Sequence, residues 1–243
     1  LDQHKILVAG AGGLLGSRVV MAALEQGAEV VATDIDIEAL IRKFLEEGIN
    51  VETHKLLIYQ LDVTNESEVK SFFASQNGLT GAVNGTYPRN ATYGSHFFDV
   101  SLESFNDNVA MHLGSAFLFT QQCAAYFKIN KTPFSLVNIS SVYGVIAPKF
   151  EIYDNTAMTM PVEYAAIKSA ILNLNKYVSA YVNDSQFRVN GVSPGGIFDH
   201  QPGEFLGAYK INTHGTGMLD VDDILGSILF LLSEQSKYVV GQN

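Results

Sequence analysis

Residues 5–24 read KILVAGAGGLLGSRVVMAAL. An apolar, β-rich run passes through Gly10, Gly12 and Gly13 into a segment with helical spacing that holds Gly16 near its start. Strand, glycine turn and helix in that order bring backbone amides and the positive end of a helix to one point, which suits a pyrophosphate. The next β-rich run, EVVAT at 29–33, is followed by Asp34. A carboxylate there can accept hydrogen bonds from adenosine ribose hydroxyls and would repel a 2′-phosphate, so NAD is expected over NADP.

The same alternation continues along the chain. HKLLIYQL at 54–61, GAVN at 81–84, FSLVNIS at 134–140 and FRVNGVS at 187–193 predict further strands. Between them Ile37, Leu40, Ile41, Phe44 and Leu45 repeat along one helix face and Gly48 ends it, and long helices are expected near 101–128, 163–182 and 220–233. Strands alternating with helices predict an α/β fold of the doubly wound, Rossmann type, with a parallel sheet. No repeat or linker divides the chain, so residues 1–243 are expected to form a single domain. The stretch at 195–217 is too long for an ordinary connection and is expected to be a mobile lid.

Composition narrows the partners. Fifteen Lys and Arg against twenty-five Asp and Glu leave a formal charge of −10. Scattered basic residues on so acidic a chain argue against nucleic acid. No apolar run has the length of a bilayer span and the start lacks a signal-peptide pattern, so no membrane partner and a cytoplasmic location are expected. The single Cys123 lies in the apolar stretch SAFLFTQQCAAYF and is expected to be buried in packing, without a disulfide. The sequons at 84–86, 90–92 and 138–140 are then chance matches, and no metal site is expected.

Three tyrosines, Tyr143, Tyr153 and Tyr164, fall within SVYGVIAPKFEIYDNTAMTMPVEYAAIK at 141–168, and only Tyr164 has a lysine, Lys168, one helical turn on. That spacing puts both on one helix face, where an ammonium is expected to lower the phenol's pKa from about 10. Together with the glycine turn, LDVTN at 61–65, NISS at 138–141, YAAIK at 164–168 and RVNGVSPGGI at 188–197, the chain resembles the short-chain dehydrogenase/reductase family over nearly its whole length. The resemblance implies an NAD-dependent oxidoreductase that moves hydride between nicotinamide and a secondary alcohol or ketone. It implies a catalytic Ser141, Tyr164 and Lys168. Cofactor contacts are implied at Gly10, Gly12, Gly13, Leu14, Leu15, Gly16, Asp34, Asp62, Val63, Asn84, Lys168, Pro194, Gly195 and Ile197. It also implies a homodimer or homotetramer packed through the helices at 101–128 and 163–182. TYPRN, PKFEIYDNT and SPGGIFDHQP are similar to the flagellin-modification branch of these oxidoreductases, which implies a sugar-like small-molecule substrate of bacterial surface-glycan biosynthesis.

Departures from the family pattern are informative. Ala9 replaces a threonine, Gly85 replaces the second asparagine of an Asn-Asn-Ala-Gly run, and Asp199 stands where a phosphate-contacting threonine is common. An insertion at about 147–161 separates Ser141 from Tyr164 and is expected to line the substrate side, with Tyr153 as a contact. Arg89 and Lys149 are the candidate clamps for an anionic substrate. His112 occupies the position of an asparagine that holds a relay water near the lysine; it is expected to stay neutral, with a packed core histidine, or Asn108 one turn earlier supplying the amide, as the alternatives. The chain stops at YVVGQN, where the family continues into a terminal strand, so its end is expected to be disordered, cleaved or truncated. The glycine spacing also resembles a sugar epimerase or dehydratase branch, and a dinucleotide-binding regulator without turnover is the other alternative.

Overall fold

The computed structural model describes residues 1–243. Strands β1 (Lys5–Ala9), β2 (Glu29–Asp34), β3 (Leu56–Gln60), β4 (Gly81–Asn84), β5 (Phe134–Ile139) and β6 (Phe187–Val192) form one sheet in the order β3-β2-β1-β4-β5-β6. Every pairing is parallel, with Val8 facing Ala32 on one side and Val83 on the other. The strand order reverses between β1 and β4, so the crevice at their carboxyl ends is the natural ligand site of such a sheet.

The sheet is buried on both faces, which is why its strands read as continuous apolar runs rather than alternating ones. Helices α1 (Leu14–Glu25) and α2 (Ile37–Glu46) bring Val19, Val20, Leu40 and Phe44 to one face. Helix α3 (Glu66–Ser75) supplies Val69 and Phe73 to the other. The helix expected at 101–128 is divided: Ser101 caps α4 (Leu102–Asn108), a π-helical turn follows at Val109–Leu113, and α5 (Gly114–Asn130) continues. Helix α5 adds Phe119, Phe127 and the buried Cys123 to the second core. A π-helical turn shifts the following side chains around the axis and often marks a functional position; here it carries His112.

Helix α6 (Val162–Val182) holds Tyr164 and Lys168, and its end is an αL residue, Asn183. The long connection after β6 is not irregular throughout. Its middle is helix α7 (Gly203–Ile211), whose Phe205 and Tyr209 pack against Ile152 and Tyr153 from a 3-10 turn in the insertion. Apolar contact between the two segments forms a roof where the sequence predicts a lid. The last helix is α8 (Leu225–Leu232). The terminal residues are likewise ordered: Gly241 N–H donates to Val189 O (2.9 Å), Gly191 N–H to Gln242 O (2.8 Å), and Asn190 Nδ2 to Val239 O (2.8 Å), so the segment lies beside β6. No helix is long and apolar enough to cross a membrane.

Two glycines separate packing from propensity. A Cβ on Gly16 would lie 2.0 Å from Gly10 O, whereas one on Gly226 of α8 meets nothing within 4 Å. Gly16→Ala is expected to lose about 2 kcal/mol or more of stability through overpacking. Gly226→Ala is expected to gain roughly 0.5–1 kcal/mol from the lost entropy of the unfolded chain. Urea unfolding of the two variants checks both signs.

Candidate active site

The glycine turn is shaped by close approach. Gly10 has φ +77°, and a Cβ there would come within 3.0 Å of the Gly85 carbonyl carbon and oxygen across the β1/β4 crevice. Gly85 N–H donates to Ala9 O (3.0 Å), so the glycine that replaces an asparagine lies directly against the turn. Helix α1 begins at Gly13 with no side-chain cap, which leaves its first amides pointing into the crevice. Asp34 is held by Gly12 N–H (2.9 Å, to Oδ2) and Ile35 N–H (2.8 Å, to Oδ1). Gly10, Gly12, Gly13, Asp34, Asp62 and Val63 line one cavity of about 590 Å³. Asn84 lies outside it, its Oδ1 accepting from Thr86 N (3.2 Å) and Thr86 Oγ1 (2.7 Å) to set the turn after β4.

A second cavity, of about 460 Å³, holds Leu14, Leu15, Ser141, Tyr164, Lys168, Pro194, Gly195 and Ile197. Gly85, Thr86 and Tyr87 line both cavities, so they meet at the end of β4. An uncapped helix start, glycines that a Cβ would crowd and a pinned carboxylate fit a dinucleotide lying across the two. Tyr153 and Tyr143 both line the second cavity. Arg89 lines the first cavity, its guanidinium 4.8 Å from the centre of the Tyr87 ring. Lys149 lines neither and donates to Asn212 Oδ1 (3.0 Å).

The Lys168 ammonium lies 5.5 Å from the centre of the Tyr164 ring, as the helical spacing requires, but it donates to Ile139 O (2.9 Å). The expected lowering of the Tyr164 pKa is therefore not found. Burial raises it above the ordinary value, opposed by a hydrogen bond with Ser141, and Tyr164 stands as a protonated phenol. Burial also lowers the Lys168 pKa to about 8. His112 is pushed down to about 3 by burial, then by the charges of Lys168 and Arg89, and is neutral as expected. Its Nδ1 is buried without a partner. Asn108 is already engaged: it donates to Asn90 Oδ1 and Ser104 O (both 3.0 Å) and accepts from Asn90 N (3.0 Å).

One residue at the centre of this arrangement is absent from the sequence reading. The Tyr87 ring meets Tyr164 (5.6 Å between centroids), His112 (5.0 Å) and Tyr93 (5.5 Å) edge to face, with Lys168 Nζ 5.7 Å from its own centre. Its hydroxyl is hydrogen-bonded to that of Tyr93. The available signal was the two tyrosines of TYPRNATY just after the fourth strand, although nothing local says which way they turn.

The chain is similar over its length to known proteins. A family model described as Enoyl-(Acyl carrier protein) reductase matches residues 10–243. The post-translational flagellin modification protein A of Campylobacter coli is 33% identical over 249 residues, covering 100% of this chain and 96% of that protein. The 2,5-dichloro-2,5-cyclohexadiene-1,4-diol dehydrogenase of Sphingobium indicum is 25% identical, covering 99% and 94%. A short-chain dehydrogenase of Leptospira borgpetersenii, solved with bound NAD+, superposes with a TM-score of 0.87 at 28% identity and covers 100% of this chain and 91% of that one. Glycine crevice, six-stranded parallel sheet and whole-chain similarity agree: the chain belongs to the short-chain dehydrogenase/reductase family of NAD(P)-dependent oxidoreductases.

Proposed function

We infer that the protein is an NAD-dependent dehydrogenase or ketone reductase acting on a secondary alcohol of sugar-like shape. The observation that carries this reading is the convergence of Ser141, Tyr164 and Lys168 on one cavity that adjoins the glycine crevice. Similarity to the flagellin modification protein supports the sugar-like substrate. A nicotinamide cofactor, held by the glycine turn and Asp34, would supply the chemistry of hydride transfer at the reacting carbon. Tyr164 moves the proton at the reacting oxygen, giving it up in ketone reduction and taking it in alcohol oxidation. The Ser141 hydroxyl donates to the same oxygen and stabilises the charge that develops there. Lys168 keeps positive charge beside both tyrosine rings and a donor near the cofactor ribose.

Asp34 carries the cofactor preference: its carboxylate, held by Gly12 N–H and Ile35 N–H in the glycine crevice, would accept from ribose hydroxyls and repel a 2′-phosphate. Wild-type enzyme is expected to favour NAD strongly. Asp34→Ala is expected to move the ratio of kcat/KM for NAD over NADP by about tenfold or more toward NADP; equal efficiency with both cofactors in the wild type would refute the assignment.

His112 serves the proton path from Lys168, since its unpaired Nδ1 is free to hold a water while Asn108 is spent on Asn90 and Ser104. A group with a pKa of about 3 is neutral throughout the working range, so turnover against pH is expected to show no break at about 6.5, the ordinary histidine value. Turnover is expected to fall about tenfold or more in His112→Ala and to recover largely in His112→Asn, measured after cofactor binding is verified. Full activity in His112→Ala rejects the role.

The outer faces of α5 and α6 expose Phe117, Tyr177 and Tyr181, which supports packing of these helices between copies of the chain. Light scattering at micromolar concentration is expected to report a dimer or tetramer, and a monomer there would remove this element of the proposal.

A further inference from the structure

The catalytic cavity is apolar and nearly without positive charge. Its only cation is Lys168, which is 5% exposed and already bonded to Ile139 O. Its only carboxylate is Asp199, which accepts no hydrogen bond or ion pair from the chain; only its backbone N–H is engaged, donating to Gln201 Oε1 (2.7 Å). The two cations considered as anion clamps from sequence are elsewhere, Arg89 in the other cavity and Lys149 on Asn212. A phosphate or carboxylate brought into this space would meet no free cation and would share the cavity with the exposed carboxylate of Asp199, which disfavours a second negative charge.

The roof has its own requirement. Met158, Met160, Phe205 and Met218 present carbon and sulfur to the cavity. Two of the nearby polar groups are already engaged: Tyr209 Oη accepts from Gly196 N–H (2.6 Å) and Gln201 Nε2 donates to Ile197 O (3.2 Å). Each substrate hydroxyl pressed against this wall without a partner costs about 1–3 kcal/mol. An apolar ring edge lies there without that cost.

We propose that this cavity selects a single sugar-like ring that bears no anionic group and turns an apolar edge, such as a deoxy carbon, to the methionine and aromatic roof, excluding sugar phosphates, uronates and nucleotide sugars. Asp199 is the specificity-determining residue for charge: it repels anions and accepts hydrogen bonds from a hydroxyl or ammonium on the ring. The selection rests on the hydride-transfer reading of the site, and the two are tested separately.

The test is calorimetric binding to the NADH-saturated enzyme of four rings that differ only at one carbon: 6-deoxy-D-glucose, D-glucose, D-glucose 6-phosphate and D-glucuronate. The deoxy ring is expected to bind tightest, and the phosphate and the uronate about tenfold or more weaker than it. Asp199→Asn is expected to narrow that gap. Equal or tighter binding of either anion, or binding by none of the four rings, overturns the proposal. The same rings are then offered with NAD and NADH formation is followed. Charge-selective binding without NADH formation supports the selection and counts against hydride transfer on these rings.

Discussion

The closest backbone approach in the site governs the rest. Helix α1 starts so near the end of β1 that its third residue must be Gly16, and the turn between them so near the end of β4 that Gly10 and Gly85 face each other without side chains. A Cβ on Gly10 or Gly16 would collide with this backbone and shift the helix start away from the crevice. Because β1 and β4 are the strands at which the sheet order reverses, this contact lies at the point where the crevice opens. The carboxyl end of β5, which carries Ser141, is placed by pairing with β4 and opens onto the same space.

Burial, more than pairwise charge, sets the protonation of the site. Tyr164, Lys168 and His112 are all shifted toward their neutral forms, with burial the largest cause in each. Lys168 remains the one charge at the centre, and it is held by a carbonyl oxygen and by the faces of Tyr164 and Tyr87 rather than by a carboxylate. Aromatic faces stabilise a cation without supplying a counter-charge that would compete with the cofactor phosphates. Tyr87 thus joins His112, Tyr164 and Lys168 through one ring, and its contact with Tyr93 fastens that ring to the loop after β4.

The roof explains why the insertion and the connection after β6 belong together. Ile152 and Tyr153 meet Phe205 and Tyr209, and the resulting small cluster is separate from the two cores that flank the sheet. The methionines around it give the second cavity an adaptable apolar wall.

Turn chemistry and periodicity are local, so the strands, the helix faces, the glycine turn and the Tyr164–Lys168 pairing were all legible in the sequence, as was the burial of Cys123. Local pattern could not show that the helix from 101 breaks at a π-helical turn, that residues 203–211 form a helix packed on the insertion, or that the terminal residues lie along β6. Each of these depends on a partner far along the chain. The same limit applies within the site. Sequence placed Arg89 and Lys149 with the substrate and expected the ammonium to act on the phenol oxygen. In the fold Arg89 lies on Tyr87 in the cavity of the glycine turn, Lys149 reaches Asn212, and Lys168 turns to Ile139 O. What the sequence determined by itself was which groups exist and at what spacing; the tertiary structure decided which cavity each one enters and how much water it keeps, because desolvation and contact are properties of the packed neighbours and not of the residue.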